Sequence, residues 1–367
     1  MRVLHCLDGL DRGGIETMLM NIFRNLDKHK VQFDFLLTNP NHCEYEDEVI
    51  NNGGRVYRIP RLTYFTPWVY INGLEFFFNQ HKDEWKIVHS HSTAKSALPL
   101  KIAKKYGVPV RIAHSHINKS ETKLRAILEW SMRQILPHVV THKFACSDDA
   151  AYYLFGKNIA DVHIIKNAID VEKFRFSTEV REKVRESLGV TDNDFVIGNI
   201  GRFMTQKNHK FVIEVFNLIT RERPTSKLIL IGEGPLENEI RSQVSELGLA
   251  SKVIITGSVS NVNEYLQAMD VLLFPSLYEG LGMVLIEAQS AGIDCFASEY
   301  NVPSEADVTG LVKFLPLSDN AGYWAKTIIA TDLNKDRLKY NKVVKNSGYD
   351  IIENAKRIQN FYLNCLQ

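Results

Sequence analysis

A glycine-rich segment between two glutamates holds the residues of this sequence best suited to chemistry. Glu279 precedes the run Gly280-Leu281-Gly282-Met283, and Glu287 follows in the next helical pattern. Val271–Phe274 reads as a strand before this segment, and Met283–Ser290 reads as a helix after it. A turn that opens a helix presents backbone N–H groups that favour phosphate oxygens, while carboxylates accept hydrogen bonds from sugar hydroxyls. We predict that the segment binds one sugar-containing anion.

Two cations follow another predicted strand, Phe195–Asn199. Gly201 opens space after this strand, and Arg202 and Lys207 then precede a helix. A planar guanidinium and a compact ammonium together suit a diphosphate, so we favour this interpretation over plain surface charge. The cations also count against a hydrolase, in which Glu279 and Glu287 would form an acid/base pair.

Weaker signals lie at the ends of other predicted strands. Gly232-Glu233-Gly234-Pro235 and Gly257-Ser258-Val259 are able to hold a nucleotide base through backbone groups, but they also fit ordinary turns. Asp192-Asn193-Asp194 matches a D-x-D metal–nucleotide motif, yet its polar surroundings predict a turn. The glycine pair Gly13-Gly14, followed by Ile15-Glu16, opens the first predicted helix and would let backbone approach a ligand closely.

Four histidines follow or end two predicted strands, in the pairs His89/His91 and His114/His116. Residues i and i+2 of a strand point to one face, which raises the possibility of a metal site. Because no acidic or cysteine ligand accompanies them, the sequence predicts structural histidines and no metal. His114 is the best placed for function, as a donor to a substrate hydroxyl or a sugar carbonyl.

The elements that must position these residues alternate between strand and helix through two cycles. The first cycle runs from Val3–Leu7 to Val110–Ala113, and the second from Phe195–Asn199 to Met283–Ser290. This alternation is typical of doubly wound α/β domains with parallel sheets. The charged stretch 170–194 reads as the hinge. Two such domains in tandem predict a ligand cleft between the carboxyl ends of their sheets.

Composition narrows the protein class. The chain has 367 residues, 45% of them hydrophobic, and a net charge of +1, which argues against a nucleic-acid-binding protein. Five scattered cysteines predict reduced thiols in a cytoplasmic protein. The N-terminal run reads as a strand and not as a signal peptide, and no apolar stretch is long enough to span a membrane.

An aromatic-rich stretch precedes a basic one. We leave two interpretations open: core aromatics beside a solvated helix face, or a peripheral surface for anionic lipid on the inner face of the cell membrane. The aromatic residues are Tyr64, Phe65, Trp68, Tyr70, Phe76, Phe77, Phe78 and Trp85. The basic residues are Lys101, Lys104, Lys105, Arg111, Lys119, Lys123, Arg125, Arg133 and Lys143, against Glu121 and Glu129.

The ordered set of motifs resembles family 4 of the retaining GT-B glycosyltransferases, in the bacterial capsular, exopolysaccharide and O-antigen branch. The resemblance covers nearly the whole chain and departs from the family pattern at Gly292-Ile293-Asp294, where Gly-x-Pro is usual. It rests on Gly13-Gly14-Ile15-Glu16, Ile112-Ala113-His114-Ser115-His116, Asn167-Ala168-Ile169-Asp170, Gly201-Arg202 with Lys207, Gly232-Glu233-Gly234-Pro235, and Glu279 with Glu287.

This resemblance implies two Rossmann-like domains, an acceptor-side domain at 1–168 and a nucleotide-sugar-binding domain at 169–347. Residues 348–367 would cross back to the first domain. The implied roles are contact of His114 or His116 with the transferred sugar, stabilisation of the diphosphate by Arg202 and Lys207, and a ribose contact from Glu287. Glu279 would bind sugar hydroxyls, and Gly14 would approach the diphosphate or the acceptor.

The implied activity is metal-independent transfer from a nucleotide sugar, a UDP-sugar, to a hydroxyl of a lipid-linked saccharide, without a cofactor. Other functions on the same fold stay open. They are a nucleotide-sugar epimerase, a sugar phosphorylase, and a non-catalytic nucleotide-sugar-binding protein.

Overall fold

A computed structural model describes residues 1–11, 13–63, 65–116, 123–157 and 159–366, with the side chains of 123–128 left aside. The chain divides into two compact units. Unit 1 comprises Met1–Ala168 and Ile351–Gln367, and unit 2 comprises Ile169–Asp350. Each unit contains one parallel sheet covered by helices, which confirms the predicted doubly wound α/β fold.

Unit 1 contains a seven-stranded sheet. Its strands are β1 (Arg2–Leu7), β2 (Gln32–Leu37), β3 (Arg55–Arg58), β4 (Ile87–Ser90), β5 (Val110–Ser115), β6 (His142–Ala145) and β7 (Val162–Ile164). Its helices are α1 (Gly14–Asn25), α2 (Glu46–Asn51), α3 (Pro67–Gln80), α4 (Ala97–Lys105), α5 (Lys123–Val139), α6 (Asp148–Phe155) and, from the end of the chain, α14 (Ile351–Asn364). The strand order is β3-β2-β1-β4-β5-β6-β7.

Unit 2 contains a six-stranded sheet. Its strands are β8 (Phe195–Ile200), β9 (Ser226–Ile231), β10 (Val253–Gly257), β11 (Val271–Phe274), β12 (Asp294–Ser298) and β13 (Val312–Leu315). Its helices are α7 (Thr178–Ser187), α8 (His209–Glu222), α9 (Glu237–Glu246), α10 (Val262–Ala268), α11 (Met283–Ser290), α12 (Ala321–Ala330) and α13 (Lys339–Val344). The strand order is β10-β9-β8-β11-β12-β13.

The central strands are apolar on both faces because helices cover both sides of each sheet. Leu228–Ile231 of β9 and Val271–Phe274 of β11 are fully or almost fully buried. Helix α6 begins where Ser147 accepts a hydrogen bond from the Ala150 N–H group, the N-cap geometry that stabilises a helix by about 1 kcal/mol. The burial of the strands and the capping of the helices fix where each strand ends. The strand ends in turn position the loops that follow them.

Helix α14 packs on unit 1, although it follows unit 2 in the chain. Ile351, Ala355, Ile358 and Tyr362 of this helix are buried in the core that includes β1 and β2. The Tyr362 hydroxyl lies 2.6 Å from His89 Nδ1, so the last helix also reaches a histidine of β4.

The charged stretch predicted as a hinge differs from the structure. It contains α7, which packs on α10 within unit 2. Arg185 of this helix is only 2% exposed and pairs with Asp270 at 2.9 Å. The charged composition of this helix is typical of an exposed segment, so the sequence did not predict a packed helix here. The carboxylate of Asp270 compensates the charge of the buried Arg185 inside the unit. The turn predicted at the D-x-D sequence is present, with Asp194 accepting hydrogen bonds from Thr191.

Candidate functional site

The centre of the unit 2 sheet is a topological switch point. Strands β8 and β11 are neighbours, and the chain continues from β8 towards β9 but from β11 towards β12. Open α/β sheets bind ligands outside the carboxyl ends of the strands at such points. The loops 201–208 and 275–282 follow these two strands, so the two strongest sequence motifs lie together.

Three hydrogen bonds, besides the Lys207–Glu279 ion pair, join these loops. The Leu277 N–H group donates to the Gln206 carbonyl at 2.8 Å, and the Gln206 side chain donates to the Tyr278 carbonyl at 2.7 Å. The Asn208 side chain donates to the Pro275 carbonyl at 3.2 Å. The loops therefore form one framework, in which the position of one motif constrains the other.

An ion pair between Lys207 and Glu279 lies in this framework. Lys207 Nζ is 2.5 Å from Glu279 Oε1, and the two side chains are only 16% and 9% exposed. The Lys207 ammonium also lies 4.8 Å from the centre of the Phe274 ring. At Gly201, a Cβ atom would come within 3.0 Å of the Lys207 side chain, so the glycine leaves room for the lysine stem.

Arg202 is exposed in the same loop. Within the described parts of the chain, its guanidinium has no hydrogen-bond or ion-pair partner. Since Glu279 already balances the charge of Lys207, Arg202 supplies the uncompensated positive charge of these two loops. Both cations border one site, but only Arg202 is free to bind an anion without breaking an ion pair.

Helix α11 adds unpaired backbone donors. Gly282 precedes its first turn with φ of 80°, a conformation that favours glycine, and no side chain caps this helix. The first N–H groups of a helix have no partner within it, so they are available to an anion. A Cβ atom added at Gly280 would meet no atom within 4 Å, which leaves the loop open, while Leu281 and Met283 pack against the core.

Glu287 lies one helical turn further along α11 and is half-buried. Burial raises the pKa of its carboxyl group to about 7, against the smaller opposing effect of the positive charge of Lys173. Its carboxylate has no hydrogen-bond partner among the residues that the structure describes. It is thus a poorly solvated acceptor that a ligand hydroxyl could satisfy.

The glycines after β9 allow close contact with the loop after β8. A Cβ atom on Gly232 would lie 2.1 Å from the Gly201 carbonyl oxygen, and one on Gly234 would lie 2.5 Å from that of Phe203. Both glycines have positive φ, 144° and 157°. Their role is to let these loops approach, while Val259, after β10, is partly buried against the core.

In unit 1, Gly13 and Gly14 begin α1 as predicted. A Cβ atom on Gly13 would lie 2.2 Å from Glu16 Oε2, so a carboxylate already occupies the space beside this helix start. Burial raises the pKa of Glu16, and the nearby charges of Asp11 and Asp8 add to the rise. A Cβ atom on Gly14 would meet no atom within 4 Å, so Gly14 is the more open of the two glycines.

Five histidines cluster at β1, β4 and β5. His5 and His89 are register partners on neighbouring strands, and His91, His114 and His116 continue the same face. His114 is fully buried, whereas His116 is partly exposed. Burial lowers the pKa of His5 and His116 to about 3, and burial with neighbouring imidazoles holds the pKa of the others well below the usual range.

Two protein-family models match consecutive parts of the chain. The model of glycosyltransferase family 4 matches residues 12–173, and that of glycosyl transferases group 1 matches residues 180–347. EpsF of Bacillus subtilis (strain 168), named as a glycosyltransferase, is 33% identical over 98% of this chain and 96% of its own length. The chain belongs to the family 4 glycosyltransferases.

Other relatives of this family 4 glycosyltransferase have more specific names. UDP-Gal:alpha-D-GlcNAc-diphosphoundecaprenol alpha-1,3-galactosyltransferase of Escherichia coli is 26% identical over 78% of this chain and 77% of its own length. Among solved structures, Anabaena HepE in complex with UDP has a TM-score of 0.77 and 16% identity, covering 99% of both chains. This likeness supports the GT-B fold.

The structure of the glycosyltransferase brings together Gly201, Arg202, Lys207, Glu279 and the Gly280–Met283 turn. The roles predicted for them, for Glu287 and for the histidines stay predictions. His116 rather than His114 is the imidazole with solvent access. Sequence reasoning missed His5, because a single histidine inside an apolar strand gives no signal until the register pairs it with His89.

The aromatic-rich stretch of the glycosyltransferase divides into two sets. Tyr70, Phe77, Phe78 and Trp85 are core residues, as one interpretation predicted. Phe65, Trp68 and Phe76 are 87%, 58% and 68% exposed. Trp68, Val69 and Phe76 follow helical spacing along one side of α3, and Phe65 lies just before this helix. Tyr64 lies outside the described residues.

Many of the basic side chains of the glycosyltransferase are already engaged. Lys105 pairs with Glu75, Lys143 pairs with Asp161, and Arg111 donates to backbone carbonyls. Lys101 and Lys104 are exposed, and Lys104 also donates to the His138 carbonyl at 2.8 Å. Lys119, Glu121 and the side chains of Lys123 and Arg125 lie outside the described residues. No described helix has both the length and the apolar character that a bilayer span requires.

Proposed function

We propose that this glycosyltransferase moves a sugar from a UDP-sugar to a hydroxyl of a lipid-linked saccharide in surface polysaccharide biosynthesis, with retention of anomeric configuration. The C1–O bond to the diphosphate breaks, and a C1–O bond to the acceptor forms. The acceptor proton passes to an oxygen of the leaving diphosphate. This proton route suits a site in which the sequence identifies no general base.

The observation that carries the proposal is the joined pair of loops at the unit 2 switch point. Arg202 offers an uncompensated guanidinium, Lys207 an ammonium held by Glu279, and α11 unpaired N–H groups. Negative charge grows on the leaving diphosphate in the transition state. Fixed cations and amide dipoles at that position stabilise it without reorganisation.

The carboxylates of this site take the hydroxyl-bearing parts of the donor in our proposal. Glu279 binds sugar hydroxyls while its other oxygen keeps Lys207 in place. Glu287 accepts hydrogen bonds from the ribose. The ribose hydroxyls thus supply the donors that this half-buried carboxylate lacks among the described residues. Two glutamates with different environments are in this way suited to holding a ligand rather than to sharing a proton as a hydrolase pair would.

The relatives support the choice of substrates. The Escherichia coli relative is named for a UDP-Gal donor and a diphosphoundecaprenol-linked acceptor, and CapH of Staphylococcus aureus for capsular polysaccharide biosynthesis. HepE binds UDP in its solved complexes. We assign the nucleotide sugar to unit 2 and the acceptor to unit 1, including Gly14 and either His114 or His116 as a sugar contact.

Donor identity is testable by thermal shift with UDP-, GDP- and ADP-sugars. A ligand at 100 times its dissociation constant stabilises a protein by about 2.7 kcal/mol, so a UDP-sugar is expected to raise the melting temperature. The Arg202→Ala protein is expected to show a smaller rise at the same concentration. A rise with none of the sugars would overturn the donor assignment.

Acceptor dependence separates transfer from the other activities of this fold. With labelled UDP-sugar, label is expected to enter the lipid fraction only when a membrane acceptor extract is present. An epimerase would convert the donor without acceptor, and a phosphorylase would need inorganic phosphate. Either result would contradict the transferase proposal for this site.

We also propose that the exposed side of α3 contacts an anionic membrane surface. Phe65, Trp68 and Phe76 expose large apolar areas, and aromatic side chains favour the lipid–water interface. The exposed Lys101 and Lys104 of the neighbouring α4 add positive charge, each worth about 1 kcal/mol near anionic lipid. This surface would hold the enzyme beside its lipid-linked acceptor.

Cosedimentation with vesicles tests this surface. Wild-type protein is expected to bind phosphatidylserine-containing vesicles more strongly than phosphatidylcholine vesicles. The double variant Trp68→Ser, Phe76→Ser is expected to lose most of this binding. Tyr323→Ser, which removes a 48% exposed aromatic from unit 2, is the control. Equal binding by all three proteins would refute the proposed surface.

A further inference from the structure

The histidine cluster of unit 1 contains two overlapping groups of potential metal ligands. In each group, one ring nitrogen from every member lies within 4.8 Å of the others. His5, His89 and His91 form the deeper group, and His91, His114 and His116 form the outer group. The strands produce this arrangement. Residues i and i+2 of a strand point to the same face of the sheet, and the parallel register places the histidines of neighbouring strands side by side.

Several of these imidazoles lack the partners that buried polar groups need. Both ring nitrogens of His114 are buried without a hydrogen-bond partner, as is Nε2 of His5 and of His89. Since a neutral imidazole has one donor and one acceptor, His114 leaves both unsatisfied. Buried polar groups without partners are costly and call for a physical explanation, such as a bound ion.

We infer that His91, His114 and His116 bind a divalent transition-metal ion, with Zn²⁺ the best match to three imidazole ligands. His91 Nδ1 and His116 Nε2 are 3.0 Å apart. Zn–N bonds of about 2.0–2.1 Å in tetrahedral geometry separate two ligand nitrogens by about 3.3 Å. A small opening of this contact therefore admits the ion, and His114 supplies the third nitrogen from among its unpartnered pair.

A supporting hydrogen bond for this site is already present. His91 Nε2 lies 3.0 Å from His5 Nδ1. When His91 binds the ion through Nδ1, its Nε2–H group donates to His5. Metal-binding histidines almost always donate their second N–H group in this way, which fixes the ring and its tautomer. His5 is therefore a positioning residue of the outer group.

The outer group is favoured over the deeper one by the cost of burying charge. The deeper group is enclosed by Phe33 and Tyr362, and no carboxylate belongs to either group among the described residues. His116 is partly exposed, which gives the ion a route from solvent and leaves the fourth position to water. Zinc lowers the pKa of such water to about 7, so a hydroxide can offset part of the ionic charge.

This assignment gives the sequence motif His-Ser-His a structural role. The ion would join the carboxyl ends of β4 and β5, and it would satisfy one of the two unpartnered nitrogens of His114. The inference does not rest on the diphosphate site proposed in unit 2. It does constrain the proposed sugar contact: the ion takes one ring nitrogen of each ligand, so a sugar contact from His114 or His116 is left to its second ring nitrogen.

Cobalt binding by the full-length chain, purified with a tag that lacks histidine and stripped by a chelator, tests the site. Co²⁺ with imidazole ligands in a four-coordinate site absorbs visible light strongly, and Zn²⁺ should displace it. We expect saturation at one ion per chain. Loss of an outer-shell partner alone weakens metal binding by about 10–100-fold, so His116→Gln is expected to weaken it by about 100-fold or more.

Three variants make the result specific. His163→Gln removes an exposed histidine of unit 1 outside the cluster and should bind Co²⁺ like wild type. His114→Gln repeats the ligand loss at a second position, and His89→Phe removes a ligand of the deeper group only. Circular dichroism confirms that each variant is folded. Absence of cobalt absorption in wild type, unchanged affinity in folded His116→Gln, or loss of binding only in His89→Phe would overturn the assignment.

Discussion

At the scale of single residues, the unit 2 site separates two cations that look alike in sequence. Lys207 is committed to Glu279 at 2.5 Å, while the exposed Arg202 has no partner in the described structure. The sequence identified both residues but not this division, because pairing between loops 201–208 and 275–282 depends on the order of strands. In our proposal Arg202 contacts the diphosphate directly, and Lys207 also holds Glu279 in position.

Removal of either cation is therefore expected to lower turnover. Loss of one group that stabilises developing charge typically reduces the rate by about 10²–10³-fold, and we expect this of Arg202→Ala and of Lys207→Met. Methionine retains the contact with Gly201 but leaves Glu279 unpaired. The measurement is kcat with saturating donor and acceptor.

Arg241→Ala is the matched control for these variants. Arg241 is an exposed arginine of unit 2 that pairs with Glu237 within α9. Exposed pairs of this kind contribute only about 0.3–0.5 kcal/mol, so activity should be unchanged. Near-normal turnover of both Arg202→Ala and Lys207→Met would refute the diphosphate assignment.

Glu287 predicts a pH dependence of stability. Burial raises its pKa to about 7 in the folded protein, from 4.5 for an unperturbed carboxyl group. The folded state thus binds this proton more tightly than the unfolded state. The contribution of the protonated Glu287 to the free energy of unfolding is fully present below pH 4.5, and it is lost as pH rises through 7.

Glu287→Gln removes this titration. We expect the variant to gain stability relative to wild type as pH rises from 4.5 to 8, by about 2–3 kcal/mol at the upper end. Melting temperatures of both proteins across this range are the measurement. A difference that stays constant with pH would show that burial does not perturb Glu287 as described.

At the scale of elements, regular helices and strands were predictable, while contacts between distant loops were not. Alternating apolar runs placed Val271–Phe274 and Met283–Ser290 with the bounds that the structure has. The same patterns missed α7, whose buried Arg185 depends on Asp270. They also missed the place of His5 in its cluster, because strand register is a property of the sheet and not of local sequence.

The glycine after β9 gives a test at this scale. Gly232→Ala would place Cβ 2.1 Å from the backbone oxygen of Gly201 at a φ of 144°. We expect a loss of more than about 2 kcal/mol in the free energy of unfolding and weaker UDP-sugar binding, because the loop that carries Arg202 must move.

Gly248→Ala is the control for this substitution. Gly248 also has positive φ, 69°, but its added Cβ atom would meet nothing within 4 Å. Only conformational strain of about 1 kcal/mol is expected there, with donor binding unchanged. Equal effects of the two substitutions would mean that contact with the loop after β8 is unimportant.

At the scale of the whole molecule, the two units differ in how the chain builds them. Unit 2 is one continuous segment, Ile169–Asp350, whereas unit 1 takes α14 from the far side of that segment. The crossing-back helix followed from the family resemblance. The hydrogen bond between Tyr362 of this helix and His89 was not predictable, because no sequence pattern in either segment indicates a contact between residues so far apart in the chain.

Truncation after Asp350 is expected to unfold unit 1 selectively. It removes Ile351, Ile358 and Tyr362 from the core, each worth about 1.5–3 kcal/mol of burial, against a domain stability of about 5–15 kcal/mol. Hydrogen exchange should become fast in β1–β5 and remain slow in β8–β12. Truncation after Asn364, which keeps α14, should leave both units protected. Equal protection in the two truncated proteins would contradict this role of α14.

The late position of α14 also bears on biosynthesis. A ribosome delivers residues 1–168 long before it makes 351–364, so the first unit to be started is the last able to complete its core. While all of unit 2 is made, the core of unit 1 stays incomplete in the nascent chain. The apolar residues of β1 and β2 that pack against α14 remain exposed to solvent during this time. Chaperone demand should therefore persist until α14 emerges from the ribosome.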